Sequence, residues 1–187
     1  MIHLILGGAR SGKSRFAEHC AAQFAAKGYE CHYLATAQAL DEEMRLRIDR
    51  HRQDRLGSGL QWQTHEVGTQ LRAALDRLAA PGTLLLVDCL TLWLTGLLCR
   101  DTQAYHEQTE SQMQSGSQRE TEQLVELLTG LPGEILLVSN EVGSGIVPLG
   151  SLSRQFVDDA GRLNQSLAAI ADRVTLVVAG LPLALKG

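Results

Sequence analysis

Eight residues, Gly7-Gly8-Ala9-Arg10-Ser11-Gly12-Lys13-Ser14, match the pattern GxxxxGK[ST] in full. They constrain the fold more than any other stretch, because the pattern works only between a buried strand and a helix. Residues 2–6 (IHLIL) supply a short apolar run that ends at a glycine pair, which reads as a strand entering a turn. Residues 13–27 then place Phe16, Ala17, Cys20, Ala21, Phe24 and Ala25 at helical spacing, with Gly28 as the stop. The glycines permit turns that aim successive backbone N–H groups at phosphate oxygens, and Lys13 adds a point charge at the β- and γ-phosphates. Ser14 offers its hydroxyl to Mg²⁺, and the helix N-terminus adds the positive end of its dipole. The segment from Gly7 to Ser14 is therefore the expected binding site for a nucleoside triphosphate with Mg²⁺.

The same alternation of strand and helix continues downstream. Strands are expected at residues 31–37 (CHYLATA), 83–90 (TLLLVDCL), 134–140 (EILLVSN) and 173–180 (RVTLVVAG), with a short edge strand from LPLALKG. Helices are expected from Asp41 to about Arg55, at 67–80, at about 119–129 and at 151–172; 90–99 reads as an apolar helix or turn. The run at 83–90 is apolar on both faces, as a central parallel strand requires. Residues 101–120 are polar and rich in Gln and Ser, and read as an exposed loop or helix extension. No repeat or linker divides the chain. The expectation is α/β: a single P-loop NTPase domain over residues 1–187, RecA-like, with a mainly parallel central sheet and helices on both faces.

Composition limits the partners. A formal net charge of −4 argues against a general nucleic-acid binder. No stretch approaches the roughly 20 apolar residues of a membrane span, and MIHLILGG lacks the basic flank of a signal peptide. Cys20, Cys31, Cys89 and Cys99 show no metal-ligand spacing, and a reducing compartment is the simpler reading. A cytoplasmic protein with no membrane span is expected.

Two carboxylates stand where a phosphate loop needs help. Asp88 ends the apolar run at 83–87, the place of the metal-side carboxylate of a neighbouring strand, although a strand-end aspartate also caps helices. Glu141 follows the strand at 134–140, and C-terminal strand ends line the crevice of a parallel sheet. It can orient or deprotonate an attacking hydroxyl, help hold the metal, or simply bond its own loop backbone. Arg10 can contact phosphate or reach a neighbouring subunit.

Five segments carry a more specific signal: GGARSGKSRFAE, YLATAQALDEEMRLRIDRHR, DCLTLWLTGLL, SNEVGSGIVP and AGRLNQSLAAIAD. In this order they resemble one family, the bifunctional adenosylcobinamide kinases and adenosylcobinamide-phosphate guanylyltransferases of cobalamin biosynthesis. The resemblance covers nearly the whole chain; residues 101–120 have no clear counterpart. It implies a corrinoid substrate, phosphorylated on its aminopropanol hydroxyl with ATP or GTP. GMP from GTP would then pass to that phosphate through a covalent histidine, and the matching position is His51. It also implies a homo-oligomer, commonly a trimer. Arg162 and Asn164 match the family, with a structural role at least as plausible.

The surroundings of His51 can be judged on their own. On a helix, Arg47 and Arg55 lie four residues to either side, and Arg45, Arg50 and Arg52 raise the positive field. Such a cluster, Arg47 and Arg52 foremost, can neutralise the α-phosphate and a departing pyrophosphate. Like-charge repulsion also favours neutral imidazole, the nucleophilic form. Without the resemblance, an arginine-rich helix is usually just a solvated face. Trp62 and Trp93 read as core or interface residues, and the other histidines carry no assignment. Three rivals share the phosphate loop: a small-metabolite kinase with no use for a nucleophilic His51, a nucleotide-dependent switch, and a motor-type ATPase.

Overall fold

The computed structural model describes residues 1–37, 42–57, 59–105, 116–146 and 148–187. Among these the elements run β1 (Ile2–Gly7), α1 (Lys13–Ala25), β2 (Glu30–Ala35), α2 (Glu42–Leu56), β3 (Gln63–Glu66), α3 (Leu71–Leu78) and β4 (Thr83–Asp88). They continue as α4 (Leu90–Tyr105), α5 (Gly116–Gly130), β5 (Glu134–Asn140), α6 (Ser151–Ile170), β6 (Arg173–Val178) and β7 (Leu181–Lys186). The strands form one seven-stranded sheet in the order β3-β2-β4-β5-β1-β6-β7. All neighbours pair in parallel except β6 and β7, a hairpin that closes one edge.

Alternation along each strand assigns two faces. Leu4, Leu85, Val87, Ile135 and Leu137 point to one side, where Leu71 and Leu75 of α3, Trp93 and Leu97 of α4, Leu124 and Leu128 of α5, and Leu163 and Leu167 of α6 cover them. Trp93 has no exposed surface, and burial of such a side chain contributes about 1.5–3 kcal/mol. Ile5, Leu84, Leu86, Leu136 and Val138 point the other way, against Ala17 and Ala21 of α1. Alanines at these positions let α1 approach the sheet closely. The core of β1, β4 and β5 is apolar on both faces because helices lie on both sides.

Several expected boundaries move. The strand expected at 83–90 ends at Asp88, and Leu90 already belongs to α4. The helix expected at 67–80 shortens to Leu71–Leu78, because Val67 and Gly68 donate to the Ala35 carbonyl and extend the β2 end instead. The Gln/Ser-rich stretch begins and ends as helix, in α4 and α5, and residues 106–115 lie outside the described set. β3, with the sequence QTHE, was not expected at all. It is a polar edge strand whose ladder runs to β2 and whose side chains bond His32 and Arg52, so no apolar run marks it.

Candidate active site

The C-terminal ends of β1, β2, β4 and β5 open into one cleft of about 1640 Å³. The phosphate loop forms its floor. Gly12 takes a left-handed conformation (φ 95°), and α1 starts at Lys13 with no side-chain cap and no acidic residue in its first turn. The leading N–H groups of α1 thus have no competing side-chain anion. A Cβ on Gly7 would lie 2.6 Å from the Val177 carbonyl oxygen, so no larger residue fits beside β6. The loop is further held by Ser11 N–H to the Gly8 carbonyl (3.3 Å) and by Gly180 N–H to the Ser11 carbonyl (2.7 Å). Arg10 sits at φ 57°, outside the ordinary range of a non-glycine residue. Buried Lys13 curls back, its Nζ donating to the Gly8 carbonyl at 3.1 Å.

Asp88 closes β4 on the same face of the sheet as Leu84 and Leu86. Its Oδ2 accepts the Tyr33 hydroxyl at 2.9 Å. Thr36 ties the end of β2 to the residue after Asp88, its hydroxyl donating to the Cys89 carbonyl at 2.7 Å. Burial first, then neighbouring Asp88, pushes the Cys89 thiol up to about 11, so it stays uncharged beside the cleft. Next along, β5 ends at Asn140, which lines the cleft. Glu141 does not belong to the described lining; its Oε1 accepts the Gly143 N–H at 2.7 Å, while its own N–H donates to the Gly7 carbonyl at 3.1 Å.

Helix α2 forms the opposite wall, with Met44, Ile48, Asp49, Arg50, Arg52 and Gln53 facing the loop. Arg52 is paired with Asp49 at 3.5 Å and with Glu66 at the end of β3. The backbones of Arg47 and His51 belong to α2, but their side chains lie outside the described residues. Arg10 to Ser14, Arg52 and Asp88 thus line one cleft, Gly7, Gly8 and Ala9 do not belong to its described lining, and Glu141 lies at its margin through its bond to Gly7. Trp93 is a core residue, and half-buried Trp62 packs against the core, edge-on to Tyr33 at 5.6 Å between ring centroids. Tyr33, Thr36 and Gly180 were missed by sequence reasoning. Only Gly180 left a trace, as the glycine of a turn between two apolar runs.

A phosphate loop between β1 and α1, a carboxylate at the end of β4, and β5 inserted between those strands define a RecA-like P-loop α/β protein. The model of the family described as cobinamide kinase / cobinamide phosphate guanyltransferase matches residues 3–185. The chain is 52% identical over 188 residues to the bifunctional adenosylcobalamin biosynthesis protein CobP of Pseudomonas aeruginosa, covering 100% of this chain and 98% of that protein. It is 38% identical over 191 residues to the bifunctional adenosylcobalamin biosynthesis protein CobU of Escherichia coli, covering all of both. The CobU protein of Salmonella typhimurium matches at 39% over 188 residues, again covering all of both. The chain belongs to the cobinamide kinase / cobinamide phosphate guanyltransferase family.

Proposed function

We propose that the chain carries out both reactions for which its family is named, phosphorylating adenosylcobinamide and then transferring GMP to the phosphate. The observation that carries this reading is the shared cleft, in which the phosphate loop and Asp88 face an arginine-rich helix that bears His51. At about 1640 Å³ the cleft exceeds the roughly 300–1,000 Å³ of ordinary ligand pockets, which suits a nucleotide together with part of a large corrinoid.

In the first reaction the aminopropanol oxygen attacks the γ-phosphorus of ATP or GTP. A new O–P bond forms, the bond from the γ-phosphorus to the bridging oxygen breaks, and the nucleoside diphosphate leaves. Gly7 to Ser14 cradle the triphosphate, with the Gly8, Ala9, Arg10, Ser11 and Gly12 backbone wrapped around it and Lys13 countering charge on the transferred group. Lys13 must then leave the Gly8 carbonyl. Glu141 is the candidate to take the hydroxyl proton, after release from Gly143. Ser14 and Asp88 fit Mg²⁺: both line the cleft, and that ion takes one or two protein oxygens beside substrate phosphates. Its bound charge would neutralise phosphate oxygens.

In the second reaction a His51 nitrogen attacks the α-phosphorus of GTP. An N–P bond forms and pyrophosphate leaves, with Arg47 and Arg52 countering its charge. The corrinoid phosphate oxygen then displaces His51, giving adenosylcobinamide-GDP. Exposed Leu181, Leu183 and Leu185, which share one face of β7, support a homo-oligomer, with a trimer expected. Four free cysteines support a cytoplasmic location, and among the described residues no helix is long and apolar enough to cross a membrane.

The test is incubation with Mg²⁺ and GTP labelled at the α-phosphate. Wild type should take up an acid-labile, base-stable label, and His51→Ala should take up none while still phosphorylating adenosylcobinamide. A folded, GTP-binding wild type without label would leave a single-activity kinase as the better reading.

A further inference from the structure

Asn140 carries a polar side chain that neither reaction has yet used. Parallel register sets it directly beside Gly7, the first residue of the phosphate loop. On its other side, β5 pairs with β4 so that Asp88 aligns with Val138, two residues before Asn140. Strand alternation puts Asn140 on the same face as Leu136 and Val138, the face covered by α1. Asp88 shares that face through Leu84 and Leu86. Asn140 thus stands between the carboxylate and the loop, on the side where the phosphates would lie.

Its backbone is clamped from behind. The Asn140 N–H donates to the Thr91 hydroxyl at 2.8 Å, and its carbonyl accepts the Asn164 carboxamide at 3.2 Å. Thr91 and Asn164 are both buried, at 6% and 7% exposure. The N–H of the next residue is bound to the Gly7 carbonyl. The Asn140 carboxamide itself has no hydrogen-bond partner among the described residues, although it is only half-exposed. A fixed backbone with an unengaged carboxamide at the cleft is the arrangement of a preorganised donor.

We propose that the Asn140 carboxamide N–H donates to an oxygen of the γ-phosphoryl group during transfer, and that Thr91 and Asn164 are positioning residues acting through it. This deepens the kinase half of the function proposed above and rests on it. Glu141 is a poorer donor of order here, being an acceptor already engaged with Gly143.

The experiment compares wild type, Asn140→Ala, Thr91→Val and Thr91→Ser. It measures kcat and KM for adenosylcobinamide phosphorylation, and separately the affinities for ATP and ADP by calorimetry. Asn140→Ala should lose roughly 10²-fold in kcat, with KM for ATP raised far less. Its preference for ATP over ADP should fall roughly tenfold. Thr91→Val should lose about tenfold in kcat and Thr91→Ser should restore it, a split that a purely structural role would not produce. An Asn140→Ala protein with wild-type kcat and an unchanged ATP-to-ADP preference overturns the proposal. If wild type binds nucleotides but does not phosphorylate the corrinoid, the functional reading fails. The ATP-to-ADP comparison still decides whether Asn140 reads the γ-phosphate.

Discussion

Helices α1 and α2 face each other across the cleft and are built on opposite principles. α1 places Ala17 and Ala21 four residues apart, with no exposed surface, against a sheet whose facing residues are Ile5, Leu136 and Val138. In α2, EEMRLRIDRHRQDRL, Met44 and Ile48 share a face and are half-buried, but they form one short pair and not a continuous apolar stripe, and Leu46 points elsewhere. Leu46 is 61% exposed. Among the described contacts, the pair of Arg52 with Glu66 ties α2 to the sheet. Among the described residues, one wall of the cleft is thus held by the core, and the other is tied to the sheet by a surface ion pair. A core-backed phosphate cradle facing a cationic helix suits two reactions at different phosphorus atoms of a nucleotide.

The sharpest way to break this contrast is stability. Ala21→Leu, which overpacks α1 against the sheet, should cost about 1–3 kcal/mol by urea unfolding, and Leu46→Ala less than about 0.5 kcal/mol. A loss above about 2 kcal/mol for Leu46→Ala would mean that α2 is docked and the contrast is wrong. Activity gives the next largest effect. Lys13→Ala should lower the phosphorylation kcat by roughly 10²–10³-fold with only a small change in melting temperature, since it leaves the sheet contacts of α1 intact. A comparable loss from Arg52→Ala would erase the distinction between cradle and arm.

Smaller effects refine the fixed side. Tyr33→Phe removes one hydrogen bond to Asp88 and should change stability by about 1 kcal/mol or less. It should raise the Mg²⁺ concentration needed for half-maximal kinase rate; an unchanged Mg²⁺ response would show that Tyr33 does not orient Asp88 for the metal. The least effect is expected from acid. Burial, followed by Arg173, lowers the pKa of His3, and burial, His32 and Arg77 lower that of His65. Both rings therefore favour the neutral form in the folded sheet, while the unfolded chain takes up protons near an ordinary imidazole pKa of about 6.5. Stability should fall as pH drops below about 6.5, until the lowered native values are passed. Melting curves from pH 7 to pH 5 check this, with His3→Gln expected to flatten the slope. A slope unaffected by that change would place the acid response elsewhere.

Where sequence reasoning succeeded, the signal was local. The strand, glycine loop and helix around Gly7–Ser14 lie within one stretch, and Asp88 closes an apolar run that only a central strand explains. Where it failed, the determinants were distant or polar. The Tyr33–Asp88 bond and the clamp of Thr91 and Asn164 on Asn140 join residues that no periodicity relates. β3 is polar because it is an edge, so its place comes from the ladder to β2 and from polar side-chain bonds such as His65 to His32, which leave no apolar pattern. The charge of α2 was legible, but the face it turns toward the cleft was not, because a helix without an apolar stripe carries no such mark.

The bond from Gly180 to the Ser11 carbonyl also sets an order of events during synthesis. The phosphate cradle is written at the beginning of the described chain, yet β1 lies between β5 and β6, and its loop is braced by the turn between β6 and β7. A ribosome adding about 5–20 residues per second needs roughly 10–30 s to travel from residue 11 to residue 180. Until then the nascent cradle lacks its brace and its β5 and β6 neighbours are incomplete, so nucleotide has less of a formed site to stabilise in the early chain. Ligand would act as a quality check on the finished fold, and not as a scaffold for making it.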